Sequence, residues 1–467
     1  MSQKVIMFPT RLRRTLAGFS FEGWSLPSVL DRRAGLAALG GLVVAPLLGA
    51  YVAENPALVV GLVIALSAGL VVLGRPHWAA YGVCFGMFFS HVGVRIGVAY
   101  LDPGDLASMA LVPLWLLHRL SGAMRPRLIG TWWLIPALLG WMFVSMLVAG
   151  IPPGVMGRFT REIQMLLMAL ALMDLLAQED RLKVAFWLIA VAAGIEVLLA
   201  LPEFGSAYRM GGAYKQANQF AHSVSVGALP VVALFTMYRE RWLRFGLLGL
   251  LGLMLLAVVL SISRGTYIAL GLALLWWVRH NRRQILLIVL VSGVLGVMVP
   301  YIRGRESADI GDRLEMKDDS VTHRWATVLN GLNAIEAHPI FGVGYGQFRQ
   351  IDRSIEVTQQ AGRSAHNFYL SVAAATGLPS LLLYVLLFGS VMARLRRWQV
   401  RFAALGAPEG YARSAVLVKG AQAMMIYLLI TSLTKGVGLM LWCTIGLCAA
   451  ACQLRLPAPD DRDADAV

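Results

Sequence analysis

Residues 242–261 read Trp-Leu-Arg-Phe-Gly-Leu-Leu-Gly-Leu-Leu-Gly-Leu-Met-Leu-Leu-Ala-Val-Val-Leu-Ser, a run that carries a single charge. A helix of this length spans about 30 Å, the thickness of the hydrocarbon core of a bilayer. Similar runs recur along the chain. Of its 467 residues, 58% are hydrophobic and only 14% are charged. A water-soluble protein of this size would carry far more charge, so most of the chain must lie in lipid.

The apolar runs predict an all-α, polytopic membrane protein with about fourteen transmembrane helices. They divide the chain into a cytoplasmic N-terminal segment (1–33), membrane helices 1–11 (34–301), a periplasmic loop (302–365), membrane helices 12–14 (366–454) and a cytoplasmic tail (455–467). The predicted spans are 34–53, 56–73, 78–94, 104–120, 131–150, 160–177, 183–202, 218–238, 242–261, 265–279, 284–301, 366–393, 414–434 and 437–454.

The net charge of +15 comes from short connections between apolar runs. Basic residues in alternate connections are typical of the cytoplasmic side of a membrane protein. This pattern predicts that both termini are cytoplasmic, and it argues against a nucleic-acid partner. The basic connections hold Arg75; Arg119, Arg125 and Arg127; Arg181 and Lys183; Arg239, Arg241 and Arg244; Arg279, Arg282 and Arg283; and Arg394, Arg396, Arg397 and Arg401.

The loop at 302–365 differs from these connections because its eight Arg/Lys are balanced by nine Asp/Glu. A loop of this length is usually functional or structured. Its apolar residues recur at helical spacing and predict an amphipathic helix over the outer membrane face, with Ser320 as N-cap and Pro339 as its end. The residues of this apolar stripe are Trp325, Val328, Leu329, Leu332 and Ile335.

Three polar residues share the predicted outer face: Arg264 between the ninth and tenth spans, Arg324 on the loop helix, and His366 at the start of the twelfth span. Guanidinium groups present a planar fork of donors that fits phosphate oxygens. An imidazole can accept a proton from a hydroxyl near neutral pH. Together they suit transfer of a glycan from a lipid diphosphate to a hydroxyl, without a metal or another cofactor.

Each residue also has a structural interpretation. Arg264 could anchor a helix end in the headgroups, Arg324 could pair with Asp318 or Asp319, and His366 could bond backbone or lipid at a helix entry.

Several motifs resemble the O-antigen ligase and O-antigen (Wzy-type) polysaccharide polymerase superfamily of bacterial inner-membrane proteins. The main one is His366-Asn367, nine residues, then Gly377. Ser263-Arg264-Gly265 is similar to a second family element. The other matching elements are Arg324-Trp325, His338-Pro339-Ile340-Phe341-Gly342-Val343-Gly344 and Asn218-Gln219-Phe220-Ala221. The sequence departs from the ligase pattern at Ser380, where Gly, Thr or Tyr is usual. About fourteen spans, where about twelve are usual, is a second departure, and both favour a polymerase.

The resemblance implies an enzyme of lipopolysaccharide or exopolysaccharide biosynthesis in the inner membrane, with a periplasmic active site. Its donor would be an undecaprenyl-diphosphate-linked glycan. Its acceptor would be a glycan or lipid A-core, and a chain-length regulator protein is a further possible partner. The family's catalytic histidine corresponds to His366, and its diphosphate-binding arginines correspond to Arg264 and Arg324. The candidate substrate contacts are Asn367, Tyr369, Arg161, Lys215 and Asn218.

Asp102 and Asp105 invite comparison with metal-dependent lipid-linked glycosyltransferases, which use acidic residues in an outer loop. We predict instead that Asp105 is the N-cap of the fourth span, and that the protein has no metal site. The four cysteines lie in apolar runs and are expected to be packing residues.

Two other functions remain open from the sequence. A polytopic transporter or flippase of lipid-linked sugars would also have many spans, although such proteins carry ionisable residues near mid-membrane. A non-catalytic scaffold of a polysaccharide assembly complex would tolerate substitution of Arg264 and His366.

Overall fold

The computed structural model describes residues 74–96, 99–121, 132–152, 154–204, 210–279, 319–348, 367–406, 409–434 and 438–456. A two-stranded antiparallel hairpin, β1 (Val94–Ile96) and β2 (Ala99–Leu101), accompanies the helices. The all-α prediction is confirmed apart from this hairpin. The described helices are α1 (His77–Gly86), α2 (Pro103–Leu120), α3 (Leu134–Val148), α4 (Val155–Leu175), α5 (Glu179–Leu199), α6 (Ala217–Met237), α7 (Arg241–Leu260), α8 (Arg264–Val278), α9 (Asp319–Ala337), α10 (Phe368–Ala404), α11 (Ala412–Thr431) and α12 (Gly438–Ala451).

Three of the fourteen predicted spans (34–53, 56–73 and 284–301) lie outside the described residues, and each of the other eleven overlaps a described helix. Of the helices in the described ranges, five are long and apolar enough to cross a membrane: α5, α6, α7, α10 and α11. Three more, α3, α8 and α12, are apolar but shorter. The chain is thus an integral membrane protein, and the count of fourteen stays a prediction.

The helix ends gather at two opposite ends of the bundle. At one end, which we call the basic end, Arg119 in the last turn of α2 lies 3.4 Å from Asp174 in the last turn of α4. There too, Ser414 at the start of α11 donates to Glu179 at the start of α5. Arg181 of the next basic connection donates to the Leu175 carbonyl (3.0 Å) at the end of α4 and so lies at this end too. The alternation of the connections between the two sides and the assignment of the basic end to the cytoplasm stay predictions.

The opposite end, which we call the loop end, joins the starts of α2, α4, α8 and α12 to the ends of α7 and α11. A Cβ on Gly104 would lie 2.5 Å from Leu439, and a Cβ on Gly265 would lie 2.8 Å from Thr434. The small glycine residues thus let these helix ends lie directly against their neighbours. The candidate site residues that the structure describes lie at this end.

Small residues bring the helices of the core together. A Cβ on Gly227 of α6 would overlap Ala193 of α5, and one on Gly446 of α12 would lie 2.9 Å from the Ala169 carbonyl oxygen of α4. Close backbone approach of this kind replaces the hydrophobic driving force that helices lack in lipid. All four cysteines are unpaired and at least half-buried, which agrees with their predicted packing role.

Helix α9 confirms the helix predicted in the long loop, with one correction. It begins at Asp319, so Ser320 lies inside it and is not its N-cap. Its buried face consists of the small residues Thr327, Gly331 and Ala334, whereas three of its large apolar residues are exposed and Val328 and Ile335 are half-buried. The apolar stripe therefore turns away from the protein, as a surface in contact with lipid would. The exposed members are Trp325, Leu329 and Leu332.

Helix α10 is interrupted at Gly377, which has φ 83° and ψ 170°. In a straight helix, positions 368 and 388 would be about 30 Å apart. The rings of Phe368 and Phe388 are instead 6.4 Å apart, and those of Phe368 and Tyr384 are 5.2 Å apart. The segment 368–376 therefore folds back sharply along 378–404. The single helix predicted from 366 to 393 is wrong, because the chain reverses within it.

Candidate functional site

The starts of α8 and α10 meet at the end of α11. The Phe368 backbone N–H donates to the Ser432 carbonyl (2.8 Å), and Gly265 lies against Thr434 two residues further on. Arg264 and Asn367, which are 103 residues apart in the chain, therefore flank the same short segment at the loop end. The sequence predicted both residues at the outer membrane face. In the structure, their backbones lie beside the same short segment that follows α11.

Arg264 is the first residue of α8 and its side chain is exposed. The chain enters this helix through a strained turn, since Ile262 has φ 52°. A β-branched residue in the left-handed region is a genuine outlier and is held only by its surroundings. The Ser263 and Thr266 hydroxyls, both buried, lie 2.9 Å apart and fix the first turn. The start of α8 is thus a rigid support for a cation.

Asn367 is the N-cap of α10, and its side-chain oxygen accepts from the Leu370 N–H (3.1 Å). The Tyr369 hydroxyl donates to the Leu429 carbonyl (3.0 Å) and ties α10 to α11. Both predicted substrate contacts therefore also have structural roles. His366, which precedes Asn367 in the sequence, lies outside the described residues.

Helix α9 runs parallel to the segment 368–376. Gly331 packs against Leu370, where a Cβ would lie 2.7 Å from its side chain. Further along both segments, Ala334 of α9 and Ala374 belong to one buried cluster. Arg324 is two helical turns before Gly331, so its backbone lies toward and beyond the start of α10. The side chain of Arg324 is not among those described.

The turn at 338–344 occupies the space opened by the reversal in α10. Breaking a helix leaves backbone groups without partners, which is costly in an apolar surrounding. Here the Leu378 N–H donates to the Pro339 carbonyl (2.8 Å). The Trp141 indole N–H of α3 donates to the Thr376 carbonyl (3.0 Å). The Ser145 hydroxyl donates to the Phe341 carbonyl (2.6 Å). The glycine-rich motif at 338–344 therefore fills the gap at this reversal and supplies partners for its backbone groups.

We expect Trp141→Phe to lower stability by about 1–3 kcal/mol, because it leaves the buried Thr376 carbonyl without its donor. The ring would keep its stack on Phe341, whose centroid is 5.3 Å away. Thermal unfolding of the detergent-solubilised protein measures the effect. Trp133→Phe, at an exposed position just before α3, is the control and should stay within about 0.5 kcal/mol. Equal stability of both variants would contradict the role given to Trp141.

The segment after this turn is fastened to the start of α4. Arg158 donates to the Gly346 carbonyl (2.8 Å), and the Tyr345 hydroxyl donates to the Arg158 carbonyl (3.3 Å). Gln347 donates to the Gly150 carbonyl (2.9 Å). Arg158 therefore holds the loop in place.

Arg161, a predicted substrate contact, is held by the buried carboxylate of Asp105 at 2.7 Å, with its own side chain about half exposed (51%). Asp105 itself is not the N-cap of α2, so that prediction is wrong. The N-cap is Asp102, whose side chain accepts from the Asp105 N–H (2.8 Å). Burial raises the pKa of the Asp102 carboxyl. Among the described residues, no group of three or more His, Cys, Asp or Glu could hold a metal ion.

Lys215 and Asn218 lie at the entry of α6. Lys215 is exposed with φ 52°, and Asn218 is half-buried in the first turn. The Met210 N–H donates to the Leu260 carbonyl (3.2 Å), four residues before Arg264. This segment therefore adjoins the α7–α8 connection, although no contact between Lys215 and Arg264 is among those the structure describes.

A buried polar pair, which the sequence reasoning missed, lies behind the site. His222 of α6 and Tyr427 of α11 are stacked with ring centroids 5.5 Å apart, and Nδ1 of His222 lies 3.1 Å from the Tyr427 hydroxyl. A histidine one turn after Asn218 was the available signal. Its partner could not be found, because 205 residues separate the two in sequence.

These features define an integral membrane protein of the all-α class, with a polar site at the loop end of its bundle. Residues 249–385 match the family model described as O-antigen ligase. The chain therefore carries an O-antigen ligase domain and is a glycosyltransferase that ligates or polymerises polysaccharide. The match includes Arg264, Arg324, His366 and Gly377, whereas Arg161, Lys215 and Asn218 lie outside it. A comparison with curated proteins finds no match.

Proposed function

We propose that this protein transfers a glycan from an undecaprenyl-diphosphate donor to a hydroxyl acceptor at the periplasmic face of the inner membrane, without a metal. His366 acts as the base, and Arg264 and Arg324 hold the diphosphate. The observation that carries this proposal is the meeting of the starts of α8 and α10 at the end of α11. It brings the Arg264 segment beside the residue that follows His366.

The chemistry follows from the charges. As the bond from the sugar to the diphosphate breaks, negative charge grows on the leaving phosphate oxygen, and fixed guanidinium groups stabilise it. The attacking hydroxyl must lose its proton, which a neutral imidazole accepts. The rigid entry to α8 suits this role because a preorganised donor needs no rearrangement during the reaction.

The acceptor distinguishes a ligase from a polymerase. We favour a polymerase, because Ser380 departs from the ligase pattern; it is fully buried in the first turn after Gly377. Electrophoresis of surface glycan from a deletion strain tests this choice. Single capped repeats indicate a lost polymerase, and long chains left on the carrier indicate a lost ligase. Uptake of lipid-linked sugar into proteoliposomes without glycan joining would favour the transporter instead.

Arg264→Lys is expected to weaken binding of undecaprenyl diphosphate by about tenfold, because lysine keeps the charge but loses the two-pronged donor geometry. Binding to the purified protein in lipid nanodiscs is the measurement. Arg279→Lys is a matched control: Arg279 directly follows the same helix at the basic end, where it donates to the Trp276 carbonyl. Equal weakening in both variants, or in neither, would overturn the assignment of Arg264.

A further inference from the structure

The pair formed by His222 and Tyr427 stands between the helices that build the site. His222 belongs to α6 and is 8% exposed, and Tyr427 belongs to α11 and is fully buried. Their polar atoms lie 3.1 Å apart. A buried imidazole or phenol without a hydrogen-bond partner is costly in an apolar interior, and here each ring supplies a partner for the other. The pair therefore fixes the spacing of α6 and α11.

From Tyr427, contacts lead to both halves of the site. One helical turn later, the Thr431 hydroxyl donates to the Tyr427 carbonyl (3.1 Å), and the next residue, Ser432, holds the start of α10. On its other side, the Tyr427 hydroxyl lies beside the Thr266 side chain, which contacts Ser263 at 2.9 Å. Ser263 directly precedes Arg264. Tyr427 therefore lies on the helix that receives α10 and beside the first turn of α8, which carries Arg264.

We propose that His222 is a positioning residue, which acts through Tyr427 to hold Arg264 in register with the start of α10. This inference rests on the proposed function, in which Arg264 binds the donor diphosphate. His222 itself need not touch the substrate. Its contribution is to keep the first turn of α8 and the end of α11 at one fixed separation.

The test measures binding of undecaprenyl diphosphate to variants in lipid nanodiscs. His222→Ala should weaken binding about tenfold, while His222→Asn, which offers an amide near the place of Nδ1, should stay within about threefold of the wild type. In the Arg264→Ala background, His222→Ala should cause less than about a twofold further loss, because a residue acting through Arg264 has nothing left to position.

The same set of variants separates the two claims. If Arg264→Ala weakens binding but His222→Ala does not, only the positioning role fails. The positioning role also fails if His222→Ala weakens binding equally with and without Arg264, or if His222→Asn is as weak as His222→Ala, since either result indicates plain core packing. If Arg264→Ala binds as tightly as the wild type, the proposed function fails and the positioning role falls with it.

Discussion

His366→Ala is expected to lower the rate of glycan transfer by about 10²- to 10⁴-fold, the usual contribution of a general base. The variant should still insert into the membrane and bind undecaprenyl diphosphate, because the diphosphate is held by arginines and α10 is capped by Asn367. Loss of rate with retained binding is the signature of a group that acts on the reacting proton. A glycan-transfer assay with purified protein and lipid-linked donor measures the first quantity.

His118→Ala is the control for this experiment. His118 lies in the last turn of α2 at the basic end, where its Nδ1 is 2.9 Å from the Leu114 carbonyl oxygen. Its replacement should change the rate by less than about twofold. Full transfer activity in His366→Ala would refute the base assignment and would restore the scaffold interpretation.

Gly377→Ala should have the largest effect on folding, about 3 kcal/mol or more. A left-handed φ strains any residue with a Cβ, and here the added Cβ would overlap the Ile340 carbonyl oxygen. That oxygen belongs to the turn that fills the reversal, so the turn and α10 must separate. The bond from the Leu378 N–H to the Pro339 carbonyl would then be lost. We expect little folded protein in the membrane fraction and a clearly lower unfolding temperature.

Gly389→Ala provides a control within the same helix. A Cβ at Gly389 meets no atom within 4 Å, and alanine is favoured over glycine in a helix by about 0.5–1 kcal/mol. This variant should therefore be as stable as the wild type or slightly more stable. Normal yield and unfolding temperature of Gly377→Ala would show that the reversal does not depend on glycine.

The helices could be predicted because each apolar run carries its own signal, but the reversal in α10 could not. Apolar residues continue on both sides of Gly377, so hydropathy reads one long span. The combination of Gly377 and Pro379 was the available local signal. The N-cap of α2 was similarly within reach: Pro103 favours the first helical position, which makes Asp102 the cap.

Site residues could be predicted where they belong to a sequence motif or lie on the predicted outer membrane face. The ion pair of Arg161 with Asp105 joins two helices whose mutual contact no spacing rule reveals. The same holds for Trp141 and Ser145, which hold the glycine-rich turn from a helix about two hundred residues earlier. Tertiary packing alone decides which polar groups become neighbours.

The bond from Ser145 to Phe341 has a consequence for how the protein is made. Its partners are 196 residues apart, and ribosomes add about 5–20 residues per second. Ser145 is therefore synthesised roughly 10–40 s before its acceptor. Trp141 precedes its acceptor, the Thr376 carbonyl, by 235 residues. During biogenesis, α3 must persist without the carbonyls that it later serves. The site is completed only by the late arrival of the C-terminal third of the chain.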